Sequence, residues 1–229
     1  MIQSPRWLSC VLLAILVACV GAQDNAKYSI KTAETPLPTE IGEPIQKVLG
    51  KQSVQLLSPA SKTVCEVWFR KEIPADATPE QIKNGLTYRE VKQSEVVGAI
   101  RFDEDWRDYR KQKVKAGIYT LRLGYQPMDG DHTGASEYQE FLLLLDAAKD
   151  KNLDLMDAKQ MIETSAKSIG TGHPAVFMLF PNSKPGAAPT LAAMPKNHWV
   201  LQTKGDVTVD GKKAGASLGF GLALVGAAD

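Results

Sequence analysis

Met128-Asp129-Gly130-Asp131-His132 is the one compact cluster of metal-ligand types in the chain. Asp129 and Asp131 supply oxygens two residues apart on a glycine turn, His132 adds an imidazole, and Glu137 follows closely. Hard cations want several oxygens that a loop can wrap around them. Zinc or copper would recruit the histidine with His173 or His198 from elsewhere in the chain. Asp-Gly-Asp is equally ordinary turn chemistry, with glycine at positive φ and aspartate bonding nearby backbone. The loop therefore reads first as a solvated turn and second as a site for a divalent metal ion held by Asp129, Asp131 and His132.

Other chemistry is weaker. Gly215-Ala216-Ser217-Leu218-Gly219 matches a nucleophile-elbow pattern, but that elbow needs a helix after it and an acid and a histidine downstream. Here a glycine-rich strand follows, and Asp229 is the only later acid. Cys65 shares a strand face with Val67 and Phe69 and reads as a buried structural thiol. Trp68, Trp106 and Tyr109 are candidates for a sugar-stacking platform, set against ordinary burial in a core. The stretch from Phe102 to Lys115 interleaves Trp106 and Tyr109 with Arg107, Arg110, Lys111, Lys113 and Lys115. Such patches can bind nucleic acid. Its acids Asp103, Glu104, Asp105 and Asp108, with the balanced overall charge, favour a solvated edge strand instead. His173 reads as a cap or turn residue, and His198 as a surface or hydrogen-bonded one.

These residues hang on a strand-rich chain. Gly117 to Tyr125 alternates Tyr119, Leu121, Leu123 and Tyr125 on one face with Ile118, Thr120 and Arg122 on the other, the period of a half-buried antiparallel strand. Phe141 to Leu145 is continuously apolar, so both of its faces need cover. Asp157 opens an amphipathic helix that carries Met161, Ile162, Ser165, Ala166 and Ile169 on one side and stops at Gly170, and this helix is expected to cover the Phe141 strand. Further strands are expected over 52–57, 63–70, 86–91, 96–102, 175–180, 198–203 and 216–225. A helix of less than two turns is expected to start at Thr78-Pro79-Glu80 and stop at Gly85, and a tight hairpin is expected at Asp210-Gly211. Pro181 to Pro195 reads as a surface loop.

The 229-residue chain begins with a targeting segment: one charge at Arg6, then an apolar run from Leu8 to Val17, too short to span a bilayer. Val20-Gly21-Ala22 would be cut to release a chain starting at Gln23. Leu16-Val17-Ala18-Cys19 resembles a lipobox that would lipidate Cys19. Residues 1–22 are thus expected to form the signal and 23–229 a single domain with a helical insertion near 154–169. Removing Arg6 balances the remaining charge, which gives no argument for a polyanionic partner such as nucleic acid. With Cys10 in the signal and Cys19 removed or lipidated, Cys65 stands alone and no disulfide scaffold exists.

The segments AGIYTLRLGYQPMDGDH and EFLLLLDAAKD resemble exported proteins of planctomycete-type bacteria, a resemblance that implies no established activity, cofactor or catalytic residue. Ala116 to Leu121 also resembles the tyrosine-bearing strand entry of immunoglobulin-like and transthyretin-like sandwiches, which concerns fold alone. The expected architecture is mostly β: an antiparallel β-sandwich of about eight to ten strands with one amphipathic helix packed on a sheet. The expected function is non-enzymatic binding of an envelope or extracellular component, by a periplasmic protein or a membrane-anchored lipoprotein. The alternatives are a metal-binding protein or metal-dependent hydrolase using the 128–132 loop, or a carbohydrate-binding module.

Overall fold

Alternating apolar residues become strands along most of the chain in the computed structural model, which describes residues 27–127, 130 and 136–228. In chain order these are β1 (Ser29–Glu34), α1 (Glu43–Val48), β2 (Leu49–Leu57), β3 (Thr63–Arg70), β4 (Glu72–Pro74), α2 (Pro79–Asn84), a 3₁₀ turn (Tyr88–Glu90) and β5 (Val96–Phe102). There follow β6 (Trp106–Arg107), β7 (Lys113–Val114), β8 (Gly117–Tyr125), β9 (Glu140–Asp146), α3 (Ala158–Ile169), β10 (Val176–Phe180), β11 (Thr190–Met194), β12 (His198–Val209) and β13 (Lys212–Val225). No described helix is long and apolar enough to cross a membrane.

The main sheet runs β1-β2-β3-β5-β8-β9-β10-β13-β12-β11, every neighbour antiparallel, while β6 and β7 make a separate two-stranded ribbon. The mostly-β expectation holds, but in place of two facing sheets there is one, curled into a half-barrel. The physical reason is the handover at β10, whose Val176, Phe177 and Met178 pair with β9 and whose Leu179 and Phe180 pair with β13, so one strand links the two halves of the ladder. The curl brings the sheet's two ends together. β4, one residue beyond β3, pairs in parallel with β12, and the Tyr28 ring lies 5.7 Å from that of Trp199.

Strand alternation sorts side chains between the two faces. The concave face gathers Val67, Ile100, Leu121, Leu142, Phe177 and Leu222 into one core. The opposite face is covered twice. Ile41 and Ile45, around α1, pack on Trp68, Val96 and Ala99. Met161 of α3 packs with Leu143, Leu145, Val176 and Met178. The continuously apolar β9 is therefore buried on both faces, as its sequence requires, and α3 is the cover. Its Asp157 carboxylate accepts the Gln160 N–H at 2.8 Å, Gly170 ends it in the left-handed conformation, and the Asp146 N–H donates to Ser168 Oγ at 2.8 Å.

β3, β5 and β8 begin and end where the pattern places them. Thr78 caps α2 through a complete capping box, and the Asp210-Gly211 hairpin has positive φ at both residues, 49° and 72°. The small residues on one face of β13 mark a close approach: a Cβ on Gly221 would lie 2.5 Å from the Phe180 carbonyl oxygen. Three expectations need correction. Residues 86–91 form a capped 3₁₀ turn rather than a strand, because Thr87 and Glu90 bond each other's backbone. The 181–195 loop contains β11, made by its pairing to β12. The stretch from Thr35 to Pro44, whose prolines read in sequence as an extended lead, runs into α1, seated by the buried Ile45.

Candidate functional site

Asp129, Asp131 and His132, and the lipidation candidate Cys19, lie outside the described residues. Among the described residues no group of three or more His, Cys, Asp or Glu side chains could hold a metal ion. His173 is exposed ahead of β10. His198 is 3% exposed, so it is a buried hydrogen-bonded residue and not a surface one. Its ring lies 5.4 Å from that of Tyr109, nearly parallel, and 5.6 Å from that of Phe180, and its Nε2–H donates to the Ala227 carbonyl at 3.2 Å. Burial pushes the Cys65 thiol well above its ordinary pKa, which keeps it protonated and unreactive. Ser217 sits within β13, where its hydroxyl donates to Asp206 at 3.3 Å, and no nucleophile elbow forms there.

The three platform aromatics do not share a surface. Trp68 is fully buried under α1, and Tyr109 is buried beside His198. Of the three, Trp106 alone lines a cleft found among the described residues. This cleft has a volume of about 570 Å³ and opens between the β6–β7 ribbon and the end of β13. Trp106, Arg107, Lys111 and Lys113 line one side, and Val225 to Ala227 line the other.

Its walls are fixed by bonds that reach far along the chain. The Trp106 indole N–H donates to the Leu224 carbonyl at 3.1 Å. Asp108, 1% exposed, holds the ribbon in shape. Its Oδ1 accepts the Arg110 and Gln112 backbone N–H groups at 2.9 and 2.8 Å, and its Oδ2 accepts Gln112 Nε2 and the Val176 N–H at 2.8 and 3.0 Å. The Tyr109 N–H donates to the Val176 carbonyl at 2.8 Å, so the ribbon is fastened to β10. The Ala228 N–H donates to the Tyr109 carbonyl at 2.9 Å, so the tail after β13 is fastened to the ribbon. Gly226 adopts φ +105°, and a Cβ there would stand 2.0 Å from the His198 ring, so only glycine lets the tail lie over this histidine.

The charges in the cleft are unequal. Asp105 receives Lys113 Nζ at 2.6 Å and the Ala116 N–H at 3.0 Å, and those bonds hold its carboxyl below the usual carboxylate range. Arg107 uses one N–H on the Lys111 carbonyl at 2.8 Å. Lys111 is exposed in a left-handed turn, φ 65°. The interleaved aromatic and basic residues of 102–115 were the sequence signal for this site. The ribbon hairpin and the β13 tail that complete it were not legible there.

Comparison with protein-family models, with curated proteins and with solved structures gives no match.

Proposed function

We propose that the protein is exported and acts as a non-enzymatic binding protein, engaging an envelope or extracellular component at the cleft between the β6–β7 ribbon and the tail after β13. The observation that carries this reading is the cleft itself. Its volume of about 570 Å³ lies within the ~300–1,000 Å³ common for ligand sites. Its walls are held in place before any ligand arrives, which lowers the ordering cost of binding. Asp108, the buried acid of the ribbon, has both oxygens committed to structural bonds, which favours holding a ligand over moving protons. Export rests on the n-region and apolar run of residues 1–22. Expression with that leader, followed by mass measurement, distinguishes a chain starting at Gln23 from one starting at a lipidated Cys19.

The test of binding is co-sedimentation of the purified mature chain with washed cell-envelope fractions. Saturable retention that falls about tenfold in Trp106→Ala is expected, the loss typical of a central aromatic anchor. Turnover of a substrate that depends on a residue of the 128–132 loop would overturn the reading in favour of a metal-dependent enzyme. So would a calcium, zinc or copper thermal shift abolished by Asp129→Asn.

A further inference from the structure

We infer that the ligand class of this cleft is an acidic saccharide, its carboxylate or sulfate held by Arg107 and Lys111 with its sugar body against Trp106. The inference rests on the binding reading above and deepens it. Of the two acids on the cleft wall, Asp105 is matched by Lys113, and Asp108 has every oxygen engaged by the ribbon and β10. A cation entering the cleft would find Asp105 already paired with Lys113 and Asp108 buried. Arg107 and Lys111 have no acidic partner among the described residues, and Arg107 spends one N–H on a carbonyl. Positive charge is therefore left over at the mouth of the cleft, where the exposed Arg107 and Lys111 side chains can draw in an anion. A guanidinium with free N–H groups suits a planar carboxylate or a sulfate, because it can meet two oxygens at once.

The remainder of the lining argues for a sugar body. The indole N–H of Trp106 is already spent on Leu224, so the ring offers the ligand apolar contact only. Val225, Gly226 and Ala227 oppose it with small side chains and main chain. Trp106 packs partly on the main core and leaves the rest of its surface to the cleft, and such a mix of apolar and main-chain lining suits the C–H and O–H surface of a pyranose. Lys111 adds a separate mark. A lysine held at φ 65° carries a backbone cost that glycine or asparagine would avoid, and it places the ammonium at the turn beside the cleft.

The experiment is calorimetric titration of the mature chain with an oligogalacturonate, a sulfated oligosaccharide, a neutral oligosaccharide of matched length and an oligoglutamate. The expected result is saturable binding of at least one acidic sugar and none of the neutral one. Arg107→Gln and Lys111→Gln should each weaken that binding about tenfold or more, as loss of a charge-assisted bond does. Lys111→Gly removes the charge while relieving the turn; equal weakening in a variant that melts no lower than the parent separates charge from folding. Equal binding of the neutral sugar, equal binding of oligoglutamate, or wild-type affinity in the Arg107 and Lys111 variants overturns the assignment. If acidic sugars fail while Trp106-dependent envelope retention persists, the ligand class falls and the binding function stands. If both fail, both fall.

Discussion

Arg122 and Asp150 form a two-point ion pair with essentially no exposure of either side chain: Nε donates to Oδ2 at 2.8 Å and Nη2 to Oδ1 at 2.7 Å. The remaining guanidinium N–H groups reach the carbonyls of Ser94 at 2.7 Å, Asn152 at 2.8 Å and Asp154 at 3.0 Å. Every donor of the arginine is placed. One side chain of β8 therefore fastens both the turn before β5 and the segment that leads from β9 into α3.

Asp150→Ala strands this buried guanidinium and is expected to cost about 3–5 kcal/mol in denaturant unfolding. The double variant Arg122→Met/Asp150→Leu should recover only part of that loss, since the three carbonyls lose their donor as well. Full recovery would mean that the carbonyl bonds contribute nothing.

Glu66 is buried on the same side of the sheet. Burial alone would raise its pKa, but the hydroxyls of Ser53 and Thr35, Gln55 Nε2 and the Arg101 guanidinium outweigh burial and hold the carboxyl below the ordinary range. A depressed folded pKa contributes stability that is present above the unfolded value of about 4.3 and is lost as pH falls through the folded one. Unfolding midpoints measured from pH 6 down to pH 3 (~ values bracketing the glutamate range) should show an acid limb that is shallower in Glu66→Gln. An unchanged limb would remove Glu66 from the account.

On the alkaline side the tyrosines act with the opposite sign. The Tyr88 hydroxyl donates to the Phe180 carbonyl at 2.9 Å and accepts the Gly221 N–H at 3.0 Å, bridging β10 and β13, and burial raises its pKa. Tyr125 is pushed up to about 12, chiefly by burial. Its hydroxyl donates to the Val91 carbonyl at 2.6 Å. Their contribution is full below the ordinary tyrosine value of about 10 and is lost as pH rises above it. Tyr88→Phe leaves a buried N–H and a buried carbonyl short of a partner and should cost about 1–3 kcal/mol. Tyr125→Phe should flatten the alkaline limb.

The elements legible in sequence are those whose determinants are local. Alternation at Tyr119–Tyr125 found β8, unbroken apolarity at Phe141–Leu145 demanded two covers, and Asp157 and Gly170 bounded the helix that supplies one of them. Tyr119 also bonds back to the chain before its strand, donating to the Lys115 carbonyl at 3.0 Å. What escaped depends on partners distant in sequence. α1 exists through the core around Trp68, whereas β11 is the exception, a half-exposed strand made by a short hairpin to β12. Arg122 reads as a solvent-facing charge until Asp150 is beside it. The half-barrel follows from β10 accepting β13 on its free edge, a pairing that no local pattern announces. The cleft needed Trp106 and Leu224 brought within 3.1 Å. Its basic and aromatic residues were visible in the sequence as a patch, and the tail that makes a recess of them was not.

Retention of the mature chain on washed envelope fractions, wild type against Trp106→Ala and Arg107→Gln, is the most direct measurement of what that recess does. Saturable retention that drops about tenfold in both variants, with thermal unfolding unchanged for Arg107→Gln, is the predicted result. Retention that is absent in the wild type, or that is the same in all three proteins, would contradict it.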